Sequence, residues 1–290
     1  MFLYLRVNLC GMSYNGKLTK AKLVKNDEFY TKMEDVKRVC DRFIPYFKNK
    51  IIYCNCDNPN ISQFVRYFLD NFNAFGLKAV YTSDIQTKTA RFYSSPETYV
   101  EEKLKTGEFG SEEALDILSK SDIVVTNPPF SIFRDFFDVL YNSGKKFLVI
   151  SHLLSISYNN VFPHFVNREF SVAESDHGME FDTPTLKETK KKLNNCIWIT
   201  NLPNDYGKVL PQNPDVVFSK DKYETFDNDP EVININRMKQ IPYKYEGVMA
   251  VPITIIEYYN KGGFELLGKL NKPIINGKNI YGRFLIKLLP

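Results

Sequence analysis

The chain has 290 residues, 43% of them hydrophobic and 14% aromatic, which excludes a disordered polypeptide and allows one large core with a modest appended lobe. Its formal net charge of +4 permits a polyanionic partner without requiring one. The apolar opening is interrupted by Arg6 and Asn8 and is too short for a membrane span or a signal-peptide core. We therefore expect a cytoplasmic protein with no membrane association, in which residues 1–14 form an extension outside the fold.

The cysteines and histidines do not predict a metal site. Five cysteines is an odd number, and none of them are spaced as in a zinc knuckle. Cys54 and Cys56 lie two apart in a predicted strand, where their side chains would share one face and pack as small apolar groups. The three histidines are scattered along the chain.

From about residue 50, short apolar runs alternate with amphipathic stretches, a pattern typical of an α/β fold with a doubly wound, mostly parallel sheet. The helices are predicted at 62–72, 111–120 and 132–141. The strands are predicted at 51–54, 78–82, 122–126, 146–151, 196–200 and 250–256, with a closing hairpin of 272–275 and 281–286 around Asn276-Gly277.

Two irregular stretches, about 157–193 and 203–247, are too long for ordinary connections in a compact domain. Such stretches are usually functional or disordered, and we interpret them as insertions within a domain that covers residues 15–290. The first contains a group of lysines that would suit phosphate contacts, although such a run is also typical of a solvated face. These lysines are Lys187, Lys190, Lys191 and Lys192.

The tetrapeptide Asn127-Pro128-Pro129-Phe130 follows directly on the predicted strand Asp-Ile-Val-Val-Thr. In open α/β sheets, ligands bind at the carboxyl ends of the strands, where this tetrapeptide would lie. The two prolines fix φ and remove two backbone donors, which leaves a stiff loop of hydrogen-bond acceptors. As a bare tripeptide, Asn-Pro-Pro is also common in simple turns. The strand before it and the helix after it favour a catalytic loop.

Such a loop suits an exocyclic amine such as N6 of adenine. The lone pair of this amine is delocalised into the ring, and the amine becomes a better nucleophile when acceptors hold both of its hydrogens. The Asn127 side-chain oxygen and the Pro128 carbonyl can supply these acceptors by placement alone. Phe130 offers an aromatic face for a base extruded from the duplex, because a stacked base could not reach the loop.

Beyond the tetrapeptide, the chain resembles the EcoRI-type adenine-specific DNA methyltransferases, which have the class I (Rossmann-like) methyltransferase fold. The resemblance extends over about residues 15–290, and five ordered blocks are more specific than any one of them. The blocks are Lys-Asn-Asp-Glu-Phe-Tyr-Thr at 25–31, Tyr-Cys-Asn-Cys-Asp-Asn-Pro at 53–59, the catalytic segment 122–133, Trp-Ile-Thr-Asn-Leu at 198–202, and 241–254.

The resemblance implies S-adenosylmethionine as methyl donor, double-stranded DNA as substrate and N6-methyladenine as product. It also implies association with a cognate restriction endonuclease that shares the recognition site. With DNA as substrate, we interpret the insertions at about 157–193 and 203–247 as segments for DNA recognition. The implied catalytic residues are Asn127, Pro128, Pro129 and Phe130. The implied cofactor-binding residues are Phe29, Tyr30 and Thr31 at the methionine end, Asn55 and Asp57 for the amino group, Glu108 and Phe109 at the adenine, and Asn127. For Phe29 and Tyr30, plain core packing is the competing interpretation.

Two features depart from the usual patterns. Many class I methyltransferases have Gly-x-Gly after the first strand, where this chain, like its family, has Asn-Cys-Asp-Asn-Pro. Where the family tends to have Gly-Asp-Phe, this chain has Gly107-Glu108-Phe109, and Glu108 could instead be a solvated loop residue. Asp84 follows the second predicted strand, where a ribose contact is conceivable, but no motif supports it.

Two other functions remain open from the sequence. The same Asn-Pro-Pro-aromatic loop serves methyltransferases that act on amines of RNA or on glutamine side chains of proteins. A DNA-binding protein that keeps the fold without catalysis is the other alternative. The intact tetrapeptide argues against it, because binding alone does not need paired acceptors.

Overall fold

The computed structural model describes residues 30–176, 178–182 and 190–290. In the first part of the chain the strands are β1 Tyr30–Thr31, β2 Ile51–Asn55, β3 Ala79–Asp84, β4 Thr89–Tyr93, β5 Tyr99–Lys103, β6 Ile123–Thr126, β7 Lys146–His152, β8 Ser171–Asp176, β9 Met179–Asp182, β10 Lys190–Leu193 and β11 Cys196–Thr200. The later strands are β12 Thr225–Phe226, β13 Asp229–Asn234, β14 Met249–Val251, β15 Phe264–Leu270, β16 Ile274–Ile275, β17 Lys278–Asn279 and β18 Arg283–Leu288.

The helices alternate with the central strands. The α-helices are α1 Met33–Cys40, α2 Ile44–Phe47, α3 Gln63–Asp70, α4 Phe72–Phe75, α5 Glu112–Lys120, α6 Phe133–Asn142, α7 Phe162–Val166 and α8 Ile256–Tyr259. Short 3-10 helices occupy Asp41–Phe43, Phe130–Ile132, Leu153–Ser157, Lys220–Lys222, Met238–Gln240 and Ile253–Ile255. No helix among these described segments is long and apolar enough to cross a bilayer.

The main sheet has eight strands in the order β5-β4-β3-β2-β6-β7-β11-β8. The pairs β3-β2, β2-β6 and β6-β7 are parallel, whereas the strands added at both edges pair antiparallel. The doubly wound α/β fold of the class I methyltransferase type is confirmed, with a sheet that is parallel in its centre. Because β3 and β6 lie on opposite sides of β2, the chain reverses its winding direction there, and a ligand crevice is expected at the carboxyl ends of β2 and β6.

Helices cover both faces because buried side chains alternate along the strands. Tyr53 of β2 packs into a core with α5 and α6, whereas its neighbours Ile52 and Cys54 pack on the opposite face against α1 and α3. The same alternation holds in β6, β7 and β11. The central strands are therefore packed between two apolar layers, which fix the positions of their polar ends.

A second, five-stranded sheet in the order β12-β13-β14-β18-β15 packs its buried side chains into the same core as α6. Two predicted elements were wrong here. The strand predicted at 250–256 ends at Val251, since Pro252 cannot continue the ladder and a 3-10 helix follows. Asn276-Gly277 joins only the two-residue strands β16 and β17, while Arg283–Leu288 pairs with β14 and β15.

The predicted insertions contain regular structure. In the stretch 157–193, Ser171–Asp176 forms the edge strand of the main sheet, and Met179–Asp182 pairs with β1 and β10. The stretch 203–247 contributes β12 and β13. Lys187 lies outside the described residues, as do Phe29 and residues 1–14. A role of these stretches in DNA recognition stays a prediction.

Candidate active site

A cavity lies at the predicted crevice, above the carboxyl ends of β2, β3 and β6. Five segments contribute its wall, and they come from the first strand, the turn after β2, the turn after β3, the loop before α5 and the tetrapeptide after β6. The residues that line it are Tyr30, Thr31, Cys56, Asp57, Asn58, Ser62, Gln63, Phe64, Asp84, Ile85, Gly107, Glu108, Phe109, Asn127, Pro129 and Ile132.

Asp57 is held at the floor of the cavity by two hydroxyl groups. Ser62 Oγ donates to Asp57 Oδ1 at 2.6 Å, and Thr126 Oγ1, at the end of β6, donates to Oδ2 at 2.6 Å. Ser62 also caps α3 by accepting from two backbone N–H groups. Burial raises the pKa of the Asp57 carboxyl to about 6, although both hydroxyl bonds oppose the shift, and nearby Asp84 adds to it. The carboxylate is therefore fixed in place and poorly solvated, and a cationic group would stabilise it.

Asp84 ends β3 on the other side of the cavity. Its Oδ2 accepts from the backbone and hydroxyl of Thr87, at 2.9 and 2.7 Å, and from Asn58 Nδ2 at 3.3 Å. Among the residues the structure describes, none donates to its other oxygen, Oδ1. Asp84 thus presents a preoriented acceptor to the cavity, which the sequence left unsupported.

The loop before α5 places Glu108 and Phe109 in the wall. Glu113, in the first turn of α5, accepts from the backbone N–H groups of Lys105 and Thr106 at 2.8 Å and of Gly107 at 3.1 Å. Desolvation opposes ionisation, but these hydrogen bonds hold the pKa of Glu113 below its usual value. Phe109 is buried with its ring edge-on to Phe136 of α6, at a centroid distance of 5.5 Å. Glu113 therefore holds the loop that carries the two wall residues.

Gly107 brings this loop against the end of β3. Its φ is +71°, and an added Cβ would lie 2.7 Å from the Asp84 carbonyl oxygen and 2.9 Å from the Ile85 Cα. Both neighbours are backbone atoms that cannot turn aside as a flexible side chain could. Only glycine fits between the loop and the strand end.

We expect Gly107→Ala to weaken binding of the methyl donor by at least about tenfold, because the loop must move away from Asp84 and carries Glu108 and Phe109 with it. Titration calorimetry with S-adenosylmethionine measures the effect. Gly144→Ala is the matched control, because Gly144 has φ +66° but an added Cβ would meet nothing within 4 Å. Equal donor affinities of the two variants would show that the close approach at Gly107 does not shape the cavity.

The tetrapeptide spans the rim of the cavity. Asn127 and Pro129 line it, and the Asn127 Oδ1 has less than 1 Å² of accessible surface. Pro128 is buried, and the 3-10 helix Phe130–Ile132 then leads into α6. The Phe130 ring lies outside the cavity wall, edge-on to the ring of His152 at the end of β7, at 6.3 Å. The motif thus separates the cavity on one side from an aromatic face on the other.

The imidazole of His152, which lies beside the Phe130 ring, is neutral. Its Nδ1 accepts from the backbone N–H of Leu154 at 3.1 Å, which assigns the ring proton to Nε2. Burial lowers the pKa of His152. The sequence could not single out this residue, since three scattered histidines show no pattern.

Most of the predicted site residues come together. Tyr30, Thr31, Asp57, Glu108, Phe109, Asn127 and Pro129 line one cavity, while Asn55, Pro128 and Phe130 adjoin it without lining it. Phe29 lies outside the described residues. Cys56 has φ +135° and lines the cavity, so the expectation that it packs beside Cys54 in a strand was wrong.

Two buried polar atoms show that the cavity suits a polar ligand. The Thr31 hydroxyl, in the cavity wall, and the Asn55 side-chain oxygen, just below it, are buried and have no hydrogen-bond partner among the described residues. An unpaired buried polar group costs on the order of 1–3 kcal/mol. Together with the desolvated Asp57 carboxyl, they fit a ligand that carries an ammonium group and further hydrogen-bond donors, as S-adenosylmethionine does.

The switch-point cavity and the Asn-Pro-Pro-Phe rim together define the class of the protein, a doubly wound methyltransferase. The family model for "Adenine-specific methyltransferase EcoRI" matches residues 17–100 and 81–284. The chain belongs to this family.

The curated relatives agree over nearly full length. Type II methyltransferase M.EcoRI of Escherichia coli is 36% identical over 94% of this chain and 96% of its own. M.MgeORF184P of Mycoplasma genitalium is 30% identical over 92% and 97%, and M.MpnI of Mycoplasma pneumoniae 32% over 88% and 86%. A precorrin-6y C5,15-methyltransferase structure from Geobacter metallireducens aligns over 61% of this chain and 95% of its own, with 12% identity and a TM-score of 0.30. The fold assignment rests on the strand order.

Proposed function

We propose that this chain is a site-specific DNA methyltransferase that transfers the methyl group of S-adenosylmethionine to N6 of an adenine flipped out of double-stranded DNA. The observation that carries the proposal is the position of the tetrapeptide. Asn127 borders the donor cavity, and Phe130 lies just beyond it beside His152. A base stacked on Phe130 would bring its exocyclic amine to the rim where the donor cavity opens.

The donor cavity offers a group for each part of S-adenosylmethionine. Asp57 would accept from the amino group, and Thr31 and Tyr30 would lie along the methionine chain. Asp84 Oδ1 would accept from a ribose hydroxyl, which is a common role for an acidic residue at this strand end. Glu108 would accept from the adenine amine, with Phe109 against the ring. When bound, the donor supplies an electrophilic methyl group on a sulfonium.

The protein's part in the chemistry is placement without a strong base. Asn127 Oδ1 and the Pro128 carbonyl hold the two hydrogens of the amine and favour a tetrahedral nitrogen whose lone pair can attack. Pro128 and Pro129 have no N–H to compete for those acceptors, and their fixed φ keeps the loop stiff. Because Pro128 is buried, its carbonyl is held by the packing around it. Stacking on Phe130 is worth about 1–3 kcal/mol for the flipped base.

The biological role we propose is modification in a restriction–modification system, with a cognate endonuclease that cuts the same sequence. The names of the relatives as Type II methyltransferases support this role. Methylation of the shared site would then protect host DNA.

Transfer of tritium from labelled S-adenosylmethionine to separate acceptors tests the proposal. We expect label in N6-methyladenine of duplex DNA lacking adenine methylation, and none in RNA or in a protein extract. Label in RNA or protein alone would replace DNA as the acceptor. Salt-dependent DNA binding with no affinity for the donor by calorimetry would instead indicate a binding protein without catalysis.

A further inference from the structure

Two cations on the catalytic side of the molecule lie near each other and form no ion pair with any carboxylate of the described residues. Arg134 lies in the first turn of α6, four residues after Phe130, and its guanidinium stacks over the Tyr158 ring at 4.2 Å. Lys269 of β15 reaches the same segment from the second sheet. Its Nζ donates to the Ser157 carbonyl at 2.5 Å and to Asn159 Oδ1 at 2.8 Å. We call Arg134 and Lys269 the cation pair.

Arg134 and Lys269 have N–H donors that no described residue accepts. Arg134 is exposed, and its guanidinium makes no hydrogen bond or ion pair with any residue that the structure describes. Lys269 has no carboxylate partner in the same described part of the chain, and two of its three N–H groups are used. The nearby carboxylate of Asp138 is bound by Asn160 Nδ2 at 2.8 Å. Several N–H donors thus face solvent together.

The surroundings raise the cost of leaving the pair without an anion. Lys269 lies 5.2 Å from the Phe162 ring centroid and is half-buried. Burial, and then the charge of Arg134, lower the pKa of Lys269. The Lys269 charge is partly desolvated and lies near the like charge of Arg134, and an anion between the two cations would relieve both effects.

The position of the cation pair next to the catalytic loop indicates which kind of anion it would bind. Arg134 is one helical turn, about 6 Å, beyond Phe130. The connection after β7 runs beside the catalytic loop, contacting it through His152 at Phe130 and through Tyr158 at Arg134. Arg134 therefore lies at the carboxyl edge of the sheet near the proposed base position, and Lys269 contacts the same segment, at Ser157 and Asn159.

We propose that Arg134 and Lys269 together bind a backbone phosphate of the DNA strand that carries the target adenine, next to the flipped nucleotide. This inference rests on the proposed DNA substrate. Arg134 supplies a planar fork of donors and Lys269 a point charge, and both are common phosphate ligands. Such a contact anchors the strand during base flipping and carries no sequence information.

The test is the salt dependence of DNA binding by Arg134→Gln, Lys269→Gln and the double variant. The probe is a 30-base-pair duplex of mixed sequence, with donor affinity measured in parallel. The slope of log K against log salt concentration is negative, and the loss of one phosphate contact makes it less steep by about 0.9. We expect the double variant to show this change in slope and to bind duplex DNA on the order of tenfold more weakly. The loss should be the same for duplexes of different sequence, and the affinity for the donor should be unchanged.

The matched control is the double variant Lys120→Gln/Lys145→Gln at the amino edge of the sheet. It also removes two positive charges. Lys120 forms an ion pair with Asp116, and Lys145 donates hydrogen bonds to the carbonyls of Ser119 and Ser121. This control variant should keep the wild-type slope. Arg134→Gln alone changes only an exposed side chain, so it reports on binding even if Lys269→Gln destabilises the protein.

The outcomes separate the two proposals. Wild-type DNA binding with an unchanged slope in the Arg134 and double variants would overturn the phosphate site and leave the proposed function intact. A slope change as large in the control would also overturn it, because the loss would then reflect net charge. Wild-type protein that binds the donor but no duplex DNA would overturn the proposed function and the phosphate site together.

Discussion

Asn127→Ala is expected to reduce turnover by about 10²–10³-fold while donor affinity stays within about threefold of wild type. The side-chain oxygen of Asn127 is buried at the cavity rim, directly after β6, and its proposed partner is the reacting amine. Loss of an acceptor that acts on the transition state lowers kcat, whereas the donor keeps its contacts with the other walls. Single-turnover methylation and donor calorimetry measure the two effects separately.

Asn58→Ala is a useful companion, because Asn58 lines the same cavity and its side chain, among the residues that the structure describes, bonds only to Asp84 at 3.3 Å and to its own turn. It should raise KM for the donor with little change in kcat. Near-normal turnover by Asn127→Ala would refute the proposed acceptor role. A loss of donor binding as large as the loss of turnover would instead make Asn127 mainly a cofactor ligand.

Asp57→Asn is expected to weaken donor binding by about 10- to 100-fold, since it removes the carboxylate proposed to pair with the amino group. The pKa of about 6 adds a pH dependence to the wild-type protein. As the pH falls from 7 to 5, Asp57 takes up a proton and donor affinity should fall, by about tenfold at pH 5. In Asp57→Asn this dependence should be absent.

The same substitution should stabilise the protein without donor. The pKa of Asp57 is raised from 3.8 to about 6 in the folded state, so the folded protein binds the proton more tightly than the unfolded chain. This contribution to stability is present below about pH 4 and is lost as the pH rises through 6. Above pH 6, Asp57→Asn should therefore raise the free energy of unfolding by about 1–3 kcal/mol. Its amide can still bond to Ser62 and Thr126.

Calorimetric titrations between pH 5 and 8 and thermal unfolding at pH 8 test both expectations. Ser62→Ala is the control for the donor titrations, because it removes a hydrogen bond to Asp57 but keeps the charge. It is not used in the unfolding experiment, since it also removes the cap of α3. A donor affinity of Asp57→Asn that equals wild type would remove Asp57 from the donor site. A less stable Asp57→Asn protein at pH 8 would show that its hydroxyl bonds outweigh the desolvation.

The central strands could be predicted because each combines an apolar run with a clear stop. The antiparallel strands at the two outer edges of the sheet could not. Tyr99–Lys103 is exposed along its whole length, so it lacks the alternation of apolar and polar residues that marks a half-buried strand. Ser171–Asp176 contains only two apolar residues, Val172 and Ala173, and its pairing with β11 makes it a strand.

The candidate site was predictable where it is local in the sequence. Asn127 to Phe130 and Gly107 to Phe109 are short motifs that carry their own geometry. The partners of Asp57 are not local, since Thr126 is 69 positions away and meets it only when β2 and β6 pair. The contacts of Phe130 with His152 and of Arg134 with Tyr158 likewise depend on how two strand-end connections pack together.

Expression in a host that lacks adenine methylation, followed by mapping of modified bases across its genome, tests the central claim most directly. The account predicts N6-methyladenine at one defined sequence motif, present with the wild-type protein and strongly reduced with Asn127→Ala at equal expression. An unmodified genome from cells that contain folded, donor-binding wild-type protein would contradict it, as would a wild-type level of methylation in the Asn127→Ala strain.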